Sequence, residues 1–202
     1  VSLFDRRRDD GERVLIVGLG NPGPEHARDR HNIGFDVARE LARRWDLGKP
    51  RSKYKGELWE GRTGPPGVPR VTRVAILLPL TYMNAVGDSA GPARGALKAP
   101  LESTIVLHDE IDLPFGEIRV REGGGLAGHN GLKSLKRGFG SADFWRIRIG
   151  VGRPDSTDPE IVSAWVLGRF REPPAEVEAL VDAAARETER LVERLASEDE
   201  DD

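Results

Sequence analysis

Aliphatic and polar positions along the chain follow two periods, and the places where one gives way to the other mark the elements. Residues 14–17 are four consecutive aliphatics between a charged leader and a glycine cluster, which predicts a buried strand running to Leu19. Phe35, Ala38, Leu41, Ala42 and Trp45 then form an apolar stripe at helical spacing, predicting a helix that begins near His31 or Asn32 and ends before Gly48. Residues 55–62 and 71–79 read as strands joined by a Gly- and Pro-rich hairpin-type loop over residues 64–69. Residues 104–107 are a further short buried strand, ending in His108-Asp-Glu-Ile-Asp112.

In residues 116–121 and 144–152 the period is two. Ile118 and Val120 oppose Arg119 and Arg121, while Ile147 and Ile149 oppose Arg146 and Arg148, so each segment predicts a strand with a core face and a basic face. Between them, residues 123–131 are a Gly-rich loop entering a short helix with Leu132 and Leu135 inward. A last helix, from about Pro174 to Ala196, puts Val177, Leu180, Val181, Ala184, Thr188, Leu191 and Leu195 on one face.

Strands alternating with helices, some strands joined as hairpins, predict the fold class α/β: a single-domain three-layer sandwich whose mixed, mostly parallel twisted sheet is flanked by helices. A length of 202 residues suits one core. Residues 1–202 are therefore expected to form one domain, with an N-terminal extension over 1–12 and a solvated, disordered acidic tail over 197–202. Sites in such folds gather beyond the C-terminal ends of the strands. That rim would collect Asn21, His31, Asp109 and the Gly-rich loop if the strands run parallel there.

Composition narrows the chemistry. The last five residues supply five acidic groups, so the formal net charge of −3 becomes +2 without them. A slightly basic body is compatible with a polyanionic partner. The apolar runs are far shorter than the roughly 20 residues of a membrane span, and no leader pattern opens the chain, so a soluble, cytoplasmic protein is expected. With no cysteine there is no disulfide, thiolate nucleophile or Cys-based zinc site. The chain has no glutamine and four asparagines, Asn21, Asn32, Asn84 and Asn130, two of which directly follow histidines. Scarce carboxamides beside imidazoles and glycines point to directed hydrogen bonding in a cleft.

Gly18, Gly20 and Gly23 match the G-x-G-x-x-G spacing of a dinucleotide turn. That fingerprint also needs a helix at the third glycine, a second strand soon after and an acidic residue about 20 positions on. Here Pro22 and Pro24 flank Gly23, and the next strand candidate lies near Lys55. The turn is better explained as a device that presents Asn21.

Six stretches in order carry a resemblance: Gly18-Leu-Gly-Asn-Pro-Gly23, Arg30-His-Asn-Ile-Gly34, Pro79-Leu-Thr-Tyr-Met-Asn84, His108-Asp-Glu-Ile-Asp-Leu-Pro114, Gly128-His-Asn-Gly-Leu132 and Arg146-Ile-Arg-Ile-Gly150. Together they resemble bacterial peptidyl-tRNA hydrolase over residues 14–170. The resemblance implies hydrolysis of the ester between a peptide and the 3′ ribose of tRNA. It implies neither metal nor cofactor, no membrane or obligatory protein partner, and a monomer. It also implies His31 as general base, Asp109 as the carboxylate orienting it, and Asn21 as a third catalytic residue. Met83, Asn84 and Asn130 would hold the acyl end, and Arg119 and Arg148 would meet a tRNA phosphate. His26 stands where the family usually has a tyrosine, and is expected to contact substrate with a smaller ring. Val86 stands where a serine is common, and Gly91-Pro92 is expected to interrupt a segment the family makes helical, which puts substrate positioning in question. His129 and Asn32 are expected to support local geometry rather than to react.

Three other readings compete. One is an RNA-binding protein on this fold without turnover. Another is a metal-dependent hydrolase using His31, His108, Asp109 and His129, for which no H-x-H or H-E-x-x-H spacing speaks. The last is a nicotinamide oxidoreductase built on the glycine turn.

Overall fold

A computed structural model describes residues 13–63 and 72–198; the expectations for residues 1–12, for the 64–69 loop and for the last four residues lie outside the described part. Seven strands form one sheet in the order β2-β3-β4-β1-β5-β7-β6. They are β1 (Arg13–Gly18), β2 (Arg51–Lys53), β3 (Gly56–Arg62), β4 (Arg73–Pro79), β5 (Thr104–Glu110), β6 (Ile118–Glu122) and β7 (Trp145–Gly150). The four central strands, β4, β1, β5 and β7, are parallel, and antiparallel strands extend both edges.

Both faces of the central strands are apolar because both are covered. Val14 and Ile16 of β1, with Ile105 and Leu107 of β5, pack on α1 (Ile33–Arg44) and α5 (Pro174–Glu198). Leu15 and Val17, with Val106, face α2 (Gly87–Leu97) and α3 (Asn130–Phe139). The result is the expected three-layer α/β sandwich. The stripe of α5 contributes Leu180, Ala184, Leu191 and Leu195, and its Thr188 hydroxyl donates back to the Ala184 carbonyl at 2.8 Å.

Four local expectations are corrected. The helix α2 runs through Pro92 without interruption. Close packing offsets the proline: Cβ atoms at Gly87 and Gly91 would lie 2.2 and 2.7 Å from the Ser134 and Gly138 carbonyl oxygens, so α2 sits backbone to backbone on α3. Val86 is fully buried in the α2–α3 core and belongs to packing. Val120, expected inside, is exposed because β6 is an edge strand. Arg146, expected on a solvated basic face, is 2% exposed.

Two elements were not anticipated. The three residues of β2 are all exposed and leave no apolar periodicity, whereas α4 (Pro159–Val166) carries Ile161, Val162, Trp165 and Val166 at helical spacing yet buries none of its residues. Asp158 caps α4 by accepting from the Glu160 amide at 2.8 Å.

Candidate active site

Close backbone approaches build the cleft. A Cβ at Gly18 would lie 2.6 Å from the Gly34 carbonyl oxygen, one at Gly20 would lie 2.8 Å from the Phe35 ring, and one at Gly34 would lie 2.4 Å from the Leu107 carbonyl oxygen. These glycines let α1 seat on the C-terminal ends of β1 and β5, and Gly23, at φ 105°, takes a left-handed turn that a side chain would strain. The G-x-G-x-x-G spacing is thus accounted for by helix–strand contact and a tight turn.

With α1 so placed, the 3-10 turn Arg30–Asn32 lies against β5. Asn32 pairs with the Asn21 backbone, its Oδ1 accepting from the Asn21 amide at 2.9 Å and its Nδ2 donating to the Asn21 carbonyl at 2.8 Å. The Asn21 side chain is thereby aimed across to the 3-10 turn Met83–Ala85 that follows β4, where its Oδ1 accepts from the Met83 amide at 2.8 Å. That oxygen is occupied, so Nδ2 is the group Asn21 can offer to a ligand.

His31 Nδ1 lies 2.7 Å from Asp109 Oδ1, and the same oxygen lies 3.1 Å from His129 Nε2. The remaining contacts fix the tautomers. His129 Nδ1 accepts from the amides of Gly131 and Leu132 at 3.1 and 3.4 Å, capping α3, so its hydrogen is on Nε2 and is donated to Asp109. His31 donates through Nδ1, which leaves its Nε2 lone pair free. The two rings are 5.0 Å apart, with side chains 11% and 10% exposed, enough to meet a water or substrate at the cleft.

Burial alone would lower the His31 pKa, but the Asp109 charge, its hydrogen bond and the more distant Asp29 outweigh that and hold it above the ordinary imidazole value. Burial would likewise raise the carboxyl of Asp109, yet His31 and His129 keep it well below the usual carboxylate range. His108 is a different case. Burial first, then His129, pushes it down to about 3, and its Nδ1–H donates to the Asp109 carbonyl at 2.7 Å. It is a neutral packing group beneath His129, whose ring it meets edge-on at 5.1 Å.

Among the described residues, ligand atoms of His31, Asp109 and His129 converge within 4.8 Å, a spacing a metal could use. The hydrogen bonding opposes it. Binding through His129 Nε2 would move the ring hydrogen to Nδ1, against two amide hydrogens already pointing there.

The structure thus brings His31, Asp109, Asn21 and Met83 into one linked constellation. Asn84 and Asn130 adjoin it in the chain, next to Met83 and His129, and both are exposed. The Asn84 carbonyl accepts from Arg137 at 2.9 Å. His26 is instead engaged in its own turn, with Nδ1 2.7 Å from Asp29 Oδ2. Arg119 and Arg148 stand directly opposite one another on β6 and β7, each paired with a carboxylate, Glu117 at 2.6 Å and Glu110 at 3.0 Å. The sequence reading missed the second half of His129: besides supporting the loop, it shares the Asp109 oxygen with His31. The available signal was its place in one of the two His-Asn pairs.

The protein-family model described as peptidyl-tRNA hydrolase matches residues 15–201. A peptidyl-tRNA hydrolase of Streptomyces coelicolor is 42% identical over 191 residues, covering 94% of this chain and 94% of that one. One from Rhodospirillum centenum is 44% identical over 179 residues, 88% of this chain and 75% of its own length. The crystal structure of peptidyl-tRNA hydrolase from Acinetobacter baumannii superposes with a TM-score of 0.76 at 37% identity, covering 92% of this chain and 89% of that one. A constellation assembled on the expected strand ends, a family match spanning the described fold and similarity along nearly the whole chain together mean that this chain belongs to the peptidyl-tRNA hydrolase family.

Proposed function

We propose that the chain hydrolyses the ester between a peptide and the 3′ ribose of tRNA, with His31 as general base. The observation that carries this reading is the 2.7 Å contact between His31 Nδ1 and Asp109, which leaves Nε2 as the only ring nitrogen able to accept a proton. Nε2 takes a proton from water as the water oxygen bonds to the acyl carbon. Asp109 holds the ring and stabilises the imidazolium. Collapse of the tetrahedral intermediate breaks the bond to the ribose oxygen, and the proton on His31 passes to that leaving oxygen.

Asn21 serves through Nδ2 as a donor to the developing oxyanion, because its Oδ1 is held by Met83. Met83, Asn84 and Asn130 line the acyl side. Arg119 and Arg148 supply paired cations for a phosphate of the tRNA. His26 is a peripheral substrate contact whose ring is steadied by Asp29.

No helix of the described residues is long and apolar enough to cross a membrane. We take residues 1–202 as one catalytic domain acting as a cytoplasmic monomer, without metal, cofactor or protein partner. The test is release of the acyl group from N-acylated against free aminoacyl-tRNA, by the unaltered protein and by His31→Ala. Hydrolysis of the acylated form by the unaltered protein, lost in the variant, supports the reading. A protein that binds but never cleaves, or a fully active His31→Ala, overturns it.

A further inference from the structure

Two arginines, Arg30 and Arg146, are the largest fully buried side chains among the described residues, each 2% exposed. Arg30 packs its guanidinium 3.9 Å over Trp165 and donates to the Trp165 carbonyl at 3.2 Å, a clamp behind the His31 turn. Arg146 does something else. From β7 its Nη1 donates to the Gly125 carbonyl at 2.7 Å and its Nη2 to the carbonyls of Gly124 at 2.9 Å and Ala142 at 3.3 Å.

Besides Arg146, the segment is held at its ends, where the Gly123 amide donates to the Phe144 carbonyl at 3.0 Å and the His129 amide to the Leu126 carbonyl at 2.9 Å, and by Leu126 against the α2–α3 core. Gly123, Gly124, Ala127 and Gly128 all have positive φ, a backbone with high entropy to lose. Four residues beyond Gly125 stands His129, whose two ring nitrogens join the start of α3 to the Asp109 oxygen that His31 uses. Asn130 follows directly.

Stability alone does not explain the charge. Arg121 and Arg148 repel it, Glu110 and Asp143 offset them in part, the buried His108 lies near, and Nε has no hydrogen-bond partner. What the guanidinium adds is a fork that fixes two successive glycine carbonyls in one place.

We propose that Arg146 is a positioning residue for ester hydrolysis, holding the Gly-rich loop so that His129 meets Asp109 and Asn130 meets the substrate. The proposal rests on the active-site reading above. Loosening the loop withdraws the His129 N–H from Asp109, whose charge then acts more fully on His31, while Asn130 loses its place.

The experiment compares Arg146→Lys and Arg146→Met with the unaltered protein. It uses hydrolysis of an N-acetylated aminoacyl-tRNA across pH, and amide hydrogen exchange over residues 123–131. The Met variant is expected to lose about 10- to 100-fold in kcat/KM with KM raised, to shift the acid limb of kcat/KM to higher pH, and to exchange the loop amides faster. Lys, with one cation for the same carbonyls, should fall between. Arg146→Gln replaces Met if the latter does not fold. A folded Met or Gln variant with the original KM, acid limb and loop exchange overturns the proposal. So does faster loop exchange that leaves both KM and acid limb unmoved, since that would be a merely structural role. Failure of the parent reading is distinguishable, because it shows as activity surviving in His31→Ala whatever the loop does.

Discussion

His31 and Asp109 are 78 positions apart in the chain, yet Nδ1 of one lies 2.7 Å from Oδ1 of the other. The carboxylate favours the imidazolium, so the base is neutral only above a pH higher than the ordinary imidazole value of about 6.5. We predict that kcat/KM rises with pH through that raised pKa. Asp109→Asn should move the acid limb to lower pH while reducing the maximum, because a neutral partner neither stabilises the cation nor enforces the tautomer. His31→Ala should cost about 10²- to 10⁴-fold in kcat with little change in thermal midpoint. A limb that stays in place in Asp109→Asn would separate it from His31.

The bond from the Met83 amide to Asn21 Oδ1 permits a sharper test of the oxyanion donor than alanine does. Asn21→Asp keeps an oxygen for Met83 and replaces only the NH2. We predict a fall of about 10²- to 10³-fold in kcat, the scale of one oxyanion-hole donor, with KM changing much less. Equal damage to both constants would assign Asn21 to ground-state binding instead.

Most of this arrangement was legible in the chain. Short aliphatic runs and, for β7, period-two alternation placed the central strands, helical stripes placed α1, α3 and α5, and Asn21, His31 and Asp109 fell on the expected rim because the central strands are parallel there. What could not be read was set by packing. Pro92 stays helical because Gly87 and Gly91 let α2 lie on α3. The alternation around Arg146 put it on the correct face of β7 but could not tell that the Gly-rich loop folds over it. The double role of His129 depends on α3 beginning beside β5, a tertiary fact with no periodicity to announce it.

Asp36, in the first turn of α1, carries a carboxyl raised by burial to about 6, with Arg39 opposing the shift only in part. The folded state therefore binds this proton more tightly than the unfolded chain. Its stabilising contribution is complete below about pH 4 and is lost as pH rises through about 6. Asp36→Asn should raise the unfolding free energy at pH 8 by on the order of 2 kcal/mol, and by clearly less at pH 5. Urea unfolding at the two pH values reads this directly. An equal gain at both, or a loss at pH 8, would contradict it.

Arg148 donates to Glu110 through Nε at 3.0 Å, and Glu110 is itself fixed by accepting from the Asp112 amide at 3.0 Å. That geometry leaves the forked end, Nη1 and Nη2, for a phosphate. Arg119 is exposed and gives both Nε and Nη2 to Glu117, so an incoming phosphate must displace that carboxylate first. The two cations should therefore contribute unequally although they face each other across β6 and β7. Arg148→Ala is expected to weaken deacylated tRNA binding and to reduce the slope of log affinity against log salt by about 0.7 to 0.9, the release of one counterion. Arg119→Ala should change both by less. Titrations over a salt series decide the matter: an unchanged slope in Arg148→Ala would remove it from the phosphate contact, and a larger effect from Arg119→Ala would reverse the order argued from their carboxylate partners.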